Sequence, residues 1–229
     1  MSEQITDEPV LNVEEAFSKT EVYIEQNKKS LSIIAIAIVA LVGGYFAYKN
    51  WYVAGEESKA RVEMFKAEAL FEQDSLDKAI NGDLKTGSIG FSQIADDYSI
   101  TPSGNLAEYY LGICYLKKGQ YEQAIEHLEE FNSKDQIVAP IATGAIGDAN
   151  MELGKIDEAI SFYIKAAEQS NNKFSTPIYL KKAAMANEEK KNYADAVKLY
   201  ERIKNEFGES TEGRDIEKYL ARAKALGNL

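Results

Sequence analysis

Two side chains in this chain have the reactivity that catalysis or metal binding draws on. His127 is the only histidine and Cys114 the only cysteine. A general base or a metal centre needs such groups beside others of matching chemistry. His127 lies among Glu126, Glu129 and Glu130 on what reads as a helix, so a solvated charged face is the expectation. Cys114 lies in a dense apolar stretch, where a buried, inert thiol is expected. The acidic pairs Glu56-Glu57 and Asp96-Asp97 read as helix-end charge. No phosphate-binding loop, nucleophile elbow or paired-cysteine zinc spacing is present. The expectation is a non-enzyme with no catalytic residues, no metal and no cofactor.

The elements that carry these residues say more. Leu31 to Tyr48 contains no charged residue and is bracketed by Lys28-Lys29 and Lys49. As a helix, such a run is about 27 Å long, close to the roughly 30 Å hydrocarbon core of a bilayer. Tyr45, Tyr48, Trp51 and Tyr52 cluster at its end, as an interfacial aromatic belt does. The preceding residues hold seven Asp/Glu against Lys19, Lys28 and Lys29. That is unlike the short basic front of a cleaved leader, so an uncleaved signal anchor is expected. Charge counting leaves orientation open. Lys28-Lys29 is nearest the run and weakly favours an inward N-terminus, against Lys49, Lys59, Arg61 and Lys66 beyond it. Val13, Phe17, Tyr23 and Ile24 would give a helix before the run a partly apolar face. Met1 to Leu11 reads as disordered.

The whole chain has a net charge of −11. The part after the run is also acidic, which argues against phosphate-backbone partners. A single cysteine allows no internal disulfide. Abundant Ala, Leu, Glu and Lys, with little period-two alternation, predict an all-α domain.

Three segments align on each other: Tyr121 to Leu128, Ile156 to Tyr163 and Tyr193 to Tyr200. Each has a large residue three before an anchor alanine (Ala124, Ala159, Ala196) and another four after it. One helix face thus alternates bulk with a gap that a partner helix can enter. Each is preceded by a second helical stretch, the clearest being Leu111-Gly112-Ile113-Cys114-Tyr115 with Lys118-Gly119 as the turn. The later copies have Ile146-Gly147 with Gly154, and Ala183-Ala184 with Asn192. Across Asn105 to Phe207 the chain resembles the tetratricopeptide family, although Glu108 stands at its tryptophan position. Pro140 and Pro177 would open the first helices of the second and third copies.

The resulting expectation is a tetratricopeptide-repeat solenoid of helix pairs with a C-terminal capping helix, preceded by one transmembrane helix. Its parts would be an acidic tail (1–29), a transmembrane signal anchor (30–52) and a degenerate leading repeat with an insertion (53–104). Three repeats (105–209) and a capping helix (210–229) follow. Within the leading repeat, Glu56 to Asp74 would be the first helix, Asn81 to Gly87 the insertion and Gly90 to Ile94 part of the second helix. Thr211 to Leu226 reads as one final helix.

The resemblance to tetratricopeptide proteins implies a concave groove lined by first helices. By register it holds Leu106, Tyr109, Ile113 and Leu116, then Ile141, Asp148 and Met151, then Ile178, Lys181, Met185 and Glu188. Such an apolar, methionine-containing groove suits a peptide segment. Tyr109 and Ile113 stand where some relatives carry a carboxylate-binding Lys/Asn clamp, so capture of a terminal carboxylate is not expected. The C-terminal helix folding over these side chains is the competing arrangement.

The layout also resembles the YfgM-like family of Gram-negative bacteria. The residues that carry this are Lys28-Lys29, Gly87 to Phe91, and Ser103-Gly-Asn-Leu-Ala-Glu-Tyr-Tyr110-Leu-Gly. The resemblance implies an ancillary subunit of the SecYEG translocon. It would sit in the inner membrane with a cytoplasmic N-terminus and a periplasmic repeat domain. The implied partners are a PpiD-like chaperone and nascent exported chains; no nucleic acid and no small-molecule substrate is expected. An anchored scaffold for another envelope or cytoplasm-facing complex is the alternative.

Overall fold

The computed structural model describes the backbone of residues 13–229 and side chains from residue 21. The expectation of disorder for Met1 to Leu11, and the side chains of Val13 and Phe17, lie outside the described residues. The backbone divides between Val53 and Ala54 into two compact units.

The first unit contains helix α1 (Val13–Ala47) followed by a π-helical segment, Tyr48–Val53. Helix α1 is long and apolar enough to cross a membrane. Its large side chains are exposed, among them Ile33, Ile36, Val39 and Leu41. Tyr45, Tyr48, Trp51 and Tyr52 are exposed as well. An apolar surface of this kind is not stable in water and needs lipid or protein over it.

The second unit is a run of helix pairs, and among the described residues there is no β-strand, only an isolated bridge between Asp83 and Ser88. The leading pair begins with α2 (Ala54–Glu72). Next come α5 (Pro102–Lys117) with α6 (Tyr121–Glu130), then α7 (Val138–Glu152) with α8 (Ile156–Gln169). The third pair is α9 (Ser175–Glu189) with α10 (Tyr193–Phe207). Anchor alanines Ala124, Ala159 and Ala196 are fully buried. A larger side chain there would hold the paired helices apart. Glycines do the same on the first helices. A Cβ on Gly112 would sit 2.4 Å from Leu128 of α6, and one on Gly147 2.6 Å from the Tyr163 ring of α8.

The leading repeat differs from its expected form. Its second helix starts earlier, as α3 (Leu76–Asn81), and resumes as α4 (Phe91–Asp97) after an insertion. Ala79, fully buried, takes the anchor place. The insertion leaves and re-enters at two glycines. A Cβ on Gly82 would lie 2.5 Å from the Ser88 carbonyl oxygen, and one on Gly90 2.3 Å from that of Ile80. Backbone segments can cross this closely only without side chains.

One turn closes all four pairs. Asp74, Gly119, Gly154 and Lys191 each take a positive φ, at 55°, 73°, 72° and 62°. Each donates its N–H to a carbonyl three residues back, and the next residue donates to one five back, as in a left-handed helix cap. Glycine adopts this conformation without penalty; lysine does not. Lys191→Gly is expected to raise the unfolding free energy by about 0.5–1 kcal/mol, and Gly154→Ala to lower it by about 1. Urea melts followed by circular dichroism would check both signs.

The end also departs from the reading of one helix. A single turn, α11 (Thr211–Arg214), precedes α12 (Ile216–Gly227). Ser210 caps the turn by accepting from Gly213 N at 3.0 Å. A Cβ on Gly213 would lie 2.2 Å from the Phe207 carbonyl oxygen. The chain therefore turns tightly over the end of α10 before α12 begins. Helix α12 then packs on α10 through Ile216, Leu220 and Ala223, closing the apolar end of the last pair.

Candidate protein-binding face

The first helices α5, α7 and α9 place the expected groove residues, and their surroundings fall into three groups. On α5, Tyr109, Ile113 and Leu116 are half-buried against Leu128, Ala142, Ala145 and Ile146. They pack one repeat on the next and leave part of their surface free. Leu106 packs instead on the leading cluster around Phe91 and Leu111. Ile141, Met151 and Ile178 are half-buried, the last two against the C-terminal cluster.

Asp148 is a second group. Its Oδ1 accepts from Tyr163 Oη at 2.6 Å, and both its oxygens accept from Lys182 Nζ at 2.7 Å. Lys182 also lies 5.6 Å from the Tyr163 ring centre and 5.8 Å from that of Tyr179. Burial, with Asp148 nearby, pushes both phenols far above their ordinary range, so both stay protonated and Tyr163 can donate to Asp148. A polar spot thus interrupts the apolar row.

The third group reaches the C-terminal helix. Lys181 Nζ lies 4.4 Å from the centre of the Tyr219 ring, and Glu188 pairs with Arg222. These two side chains of α9 attach α12. Met185, also on α9, is 47 % exposed and is the most open of the expected residues. Described contacts of α12 run to the end of the solenoid, through α9, α10 and α11, and do not cover Tyr109 or Ile113.

Sequence reasoning missed Tyr163, Tyr179 and Lys182. The signal for the two tyrosines was Gly144 and Gly147, one turn apart on α7. A Cβ on Gly144 would meet the Tyr179 ring at 1.9 Å. The repeat pattern marks such gaps but not which ring fills each.

His127 differs from the expected solvated position. Its Nδ1 lies 2.7 Å from Glu108 Oε2, and its ring stacks on Tyr115 at 5.2 Å. Glu108, at the usual tryptophan position, thus meets the second helix through an imidazole rather than an indole. Cys114 is fully buried, and burial pushes its thiol up to about 11. Among the described residues no three His, Cys, Asp or Glu side chains gather as a metal site would require.

A cross-repeat cap secures the leading end. Glu57 on α2 accepts from Ser103 N at 2.9 Å and Ser103 Oγ at 3.1 Å, at the start of α5. Burial raises its pKa, but Arg61 and Ser103 outweigh that and leave it lowered. A lowered carboxylate stabilises the fold above its unfolded pKa, and that contribution disappears as pH falls through the folded value. Glu57→Gln is expected to cost about 1 kcal/mol at neutral pH, with the gap to wild type closing in acid. Urea midpoints measured across that pH range would check it.

Stacked helix pairs with a shared left-handed turn define a repeat protein of the interaction class. Family models described as tetratricopeptide repeat match residues 106–135 and 180–210, and a second such model matches 144–173. The chain carries tetratricopeptide repeats. No curated protein matches it. It is similar in fold to the nearly identical TPR-like repeats of a candidate kinesin light chain from Podosopora anserina. The TM-score is 0.56 at 17% identity, covering 75% of this chain and 88% of that one. A single-substitution variant of the same repeats gives the same TM-score at 18% identity.

Proposed function

We propose that this chain is a membrane-anchored protein-interaction module that holds a peptide-sized face beside a bilayer. One observation carries the reading: a repeat domain of the interaction class shares a chain with a helix long and apolar enough to cross a membrane. The repeats supply protein binding. The half-buried row of Leu106, Tyr109, Ile113, Ile141 and Ile178, with exposed Met185, offers apolar anchors, and Asp148 with Lys182 offers an orienting polar pair. Mixed surfaces of this kind suit an extended or helical segment of another protein.

The resemblance to the YfgM-like family refines the proposal. The module would be an ancillary subunit of the Sec translocon in a bacterial inner membrane. Its repeats would face the periplasm and work with a PpiD-like chaperone on newly exported chains. A photo-crosslinker at Met185 or Tyr109, in intact membranes, is expected to capture a translocon subunit or that chaperone. Failure at both positions, with the protein present in the membrane, would overturn the translocon role. An added exposed cysteine in the repeats should react with a membrane-impermeant thiol reagent before lysis. Reaction only after lysis would reverse the orientation.

A further inference from the structure

Two loops on the edge of the solenoid share one construction. From the α6–α7 loop into the first turn of α7 the chain reads Asp135-Gln-Ile137-Val-Ala-Pro140, and from the α8–α9 loop into α9 it reads Asn172-Lys-Phe174-Ser-Thr-Pro177. In the first, Asp135 Oδ1 accepts from the N–H groups of Ile137 and Val138, each at 2.8 Å. In the second, Asn172 Oδ1 accepts from those of Phe174 at 2.8 Å and Ser175 at 2.7 Å. Each device holds a large apolar side chain outward, Ile137 at 49 % exposure and Phe174 at 61 %.

The loops are also tied to each other. The Gln136 carbonyl accepts from Ser170 Oγ at 2.7 Å and from Asn172 Nδ2 at 2.9 Å. Ile137, Phe174, Lys134 and Lys173 line one shallow surface depression of about 650 Å³. A solenoid core does not need these two side chains, and water disfavours them. Their repetition in register, with the same cap, marks a built surface.

Chemistry chooses the occupant. A peptide strand added to an edge needs free backbone donors and acceptors. Here the N–H groups of Ile137, Val138, Phe174 and Ser175 and the carbonyl of Gln136 are already engaged. An edge whose named backbone groups are engaged offers little to an added strand, while outward apolar side chains suit the interfacial layer of a bilayer. The two loops together carry Lys134 and Lys173 against Asp135, in a chain of net charge −11. Lysines beside inserted apolar side chains can reach lipid phosphates while their stems stay in the interface.

We propose that the Ile137–Phe174 edge docks on a phospholipid bilayer surface as a second, weak membrane contact. The proposal rests on the anchored reading above. Two side chains give little affinity by themselves, but an anchored chain meets the bilayer at high effective concentration.

The test uses the full chain in vesicles of phosphatidylcholine and phosphatidylglycerol. Buried Cys114 leaves an added cysteine as the site of labelling. An environment-sensitive fluorophore is placed at Gln136→Cys, with Glu189→Cys, exposed at the far end of α9, as a control. The Gln136→Cys label should be blue-shifted and quenched by brominated lipid, and the control should not. Adding Ile137→Ser with Phe174→Ser should lower the docked fraction about tenfold, as the loss of two inserted side chains would. Lys134→Glu with Lys173→Glu should weaken docking on anionic vesicles while leaving circular dichroism unchanged. Equal emission from both labels, in a chain that floats with the vesicles, overturns docking alone. A chain that does not float overturns the anchored reading, and docking with it. Protection of the Gln136→Cys label only by an added protein, and not by lipid, assigns the edge to a protein and overturns the proposal.

Discussion

Gly144→Ala is expected to lower the unfolding free energy by about 2–3 kcal/mol, an unusually large effect for one added methyl. The new Cβ would lie 1.9 Å from Tyr179 Cε1 and 2.3 Å from its Cζ. The ring has little room to withdraw. It is buried and stacked 6.5 Å from the Tyr163 ring. Helix propensity opposes the loss, since alanine is better than glycine by about 1 kcal/mol in a helix interior, but the clash is larger. The site joins two repeats, which gives the prediction a second signature. Stability in such arrays is a sum of repeat and interface contributions. Weakening the α7–α9 interface should therefore broaden the urea transition or split it, as well as shift its midpoint. Gly144→Ala combined with Tyr179→Leu should recover part of the loss, because the two changes share one volume. Gly55→Ala, where the added Cβ meets nothing within 4 Å, should cost nothing. A Gly144→Ala chain as stable as wild type would mean that Tyr179 does not pack here.

The same contact illustrates what could be read in advance. The anchor alanines, the turn glycines and the apolar run each follow from one local rule, so the helix pairs and the long N-terminal helix were legible. In the leading repeat, the early start of the second helix was missed because its signals were disguised. Leu76-Asp-Lys-Ala79-Ile80 repeats the pattern of Tyr121-Glu-Gln-Ala124-Ile125, but Asp74 stands where glycine marks the turn. The insertion then cuts the helix before its period can show. Lys181 and Glu188 were assigned to the groove by register, and both engage α12. Register fixes a helix face, but the neighbour across that face depends on how the last turn folds over α10. The Asp148–Lys182–Tyr163 cluster needed the three-dimensional stacking of three helices, which no spacing encodes.

Ile36→Arg with Val39→Arg is expected to abolish stable membrane association. Each arginine near the middle of a spanning helix costs about 2.5–3.5 kcal/mol on insertion scales, so the pair opposes insertion by about 6. The run has little to offset this. It draws its gain from Ile, Val, Leu and Ala side chains that are exposed on every side of α1, and the two arginines lie one turn apart on one stripe. Snorkelling gives limited relief, because both positions are several residues from either end of the run. The repeats should be unaffected, since α1 belongs to a separate compact unit. The measurement is extraction of membranes at alkaline pH, followed by flotation. Wild type should stay with lipid, the double variant should appear in the supernatant, and Gly43→Ala should behave as wild type. A double-arginine chain that still floats would show that the run is not the anchor. A wild-type chain released by alkali would make it a peripheral protein whose apolar helix is covered by a partner. In that case the acidic repeat domain would reach membranes only through another protein, and the apolar helix would itself be a binding segment.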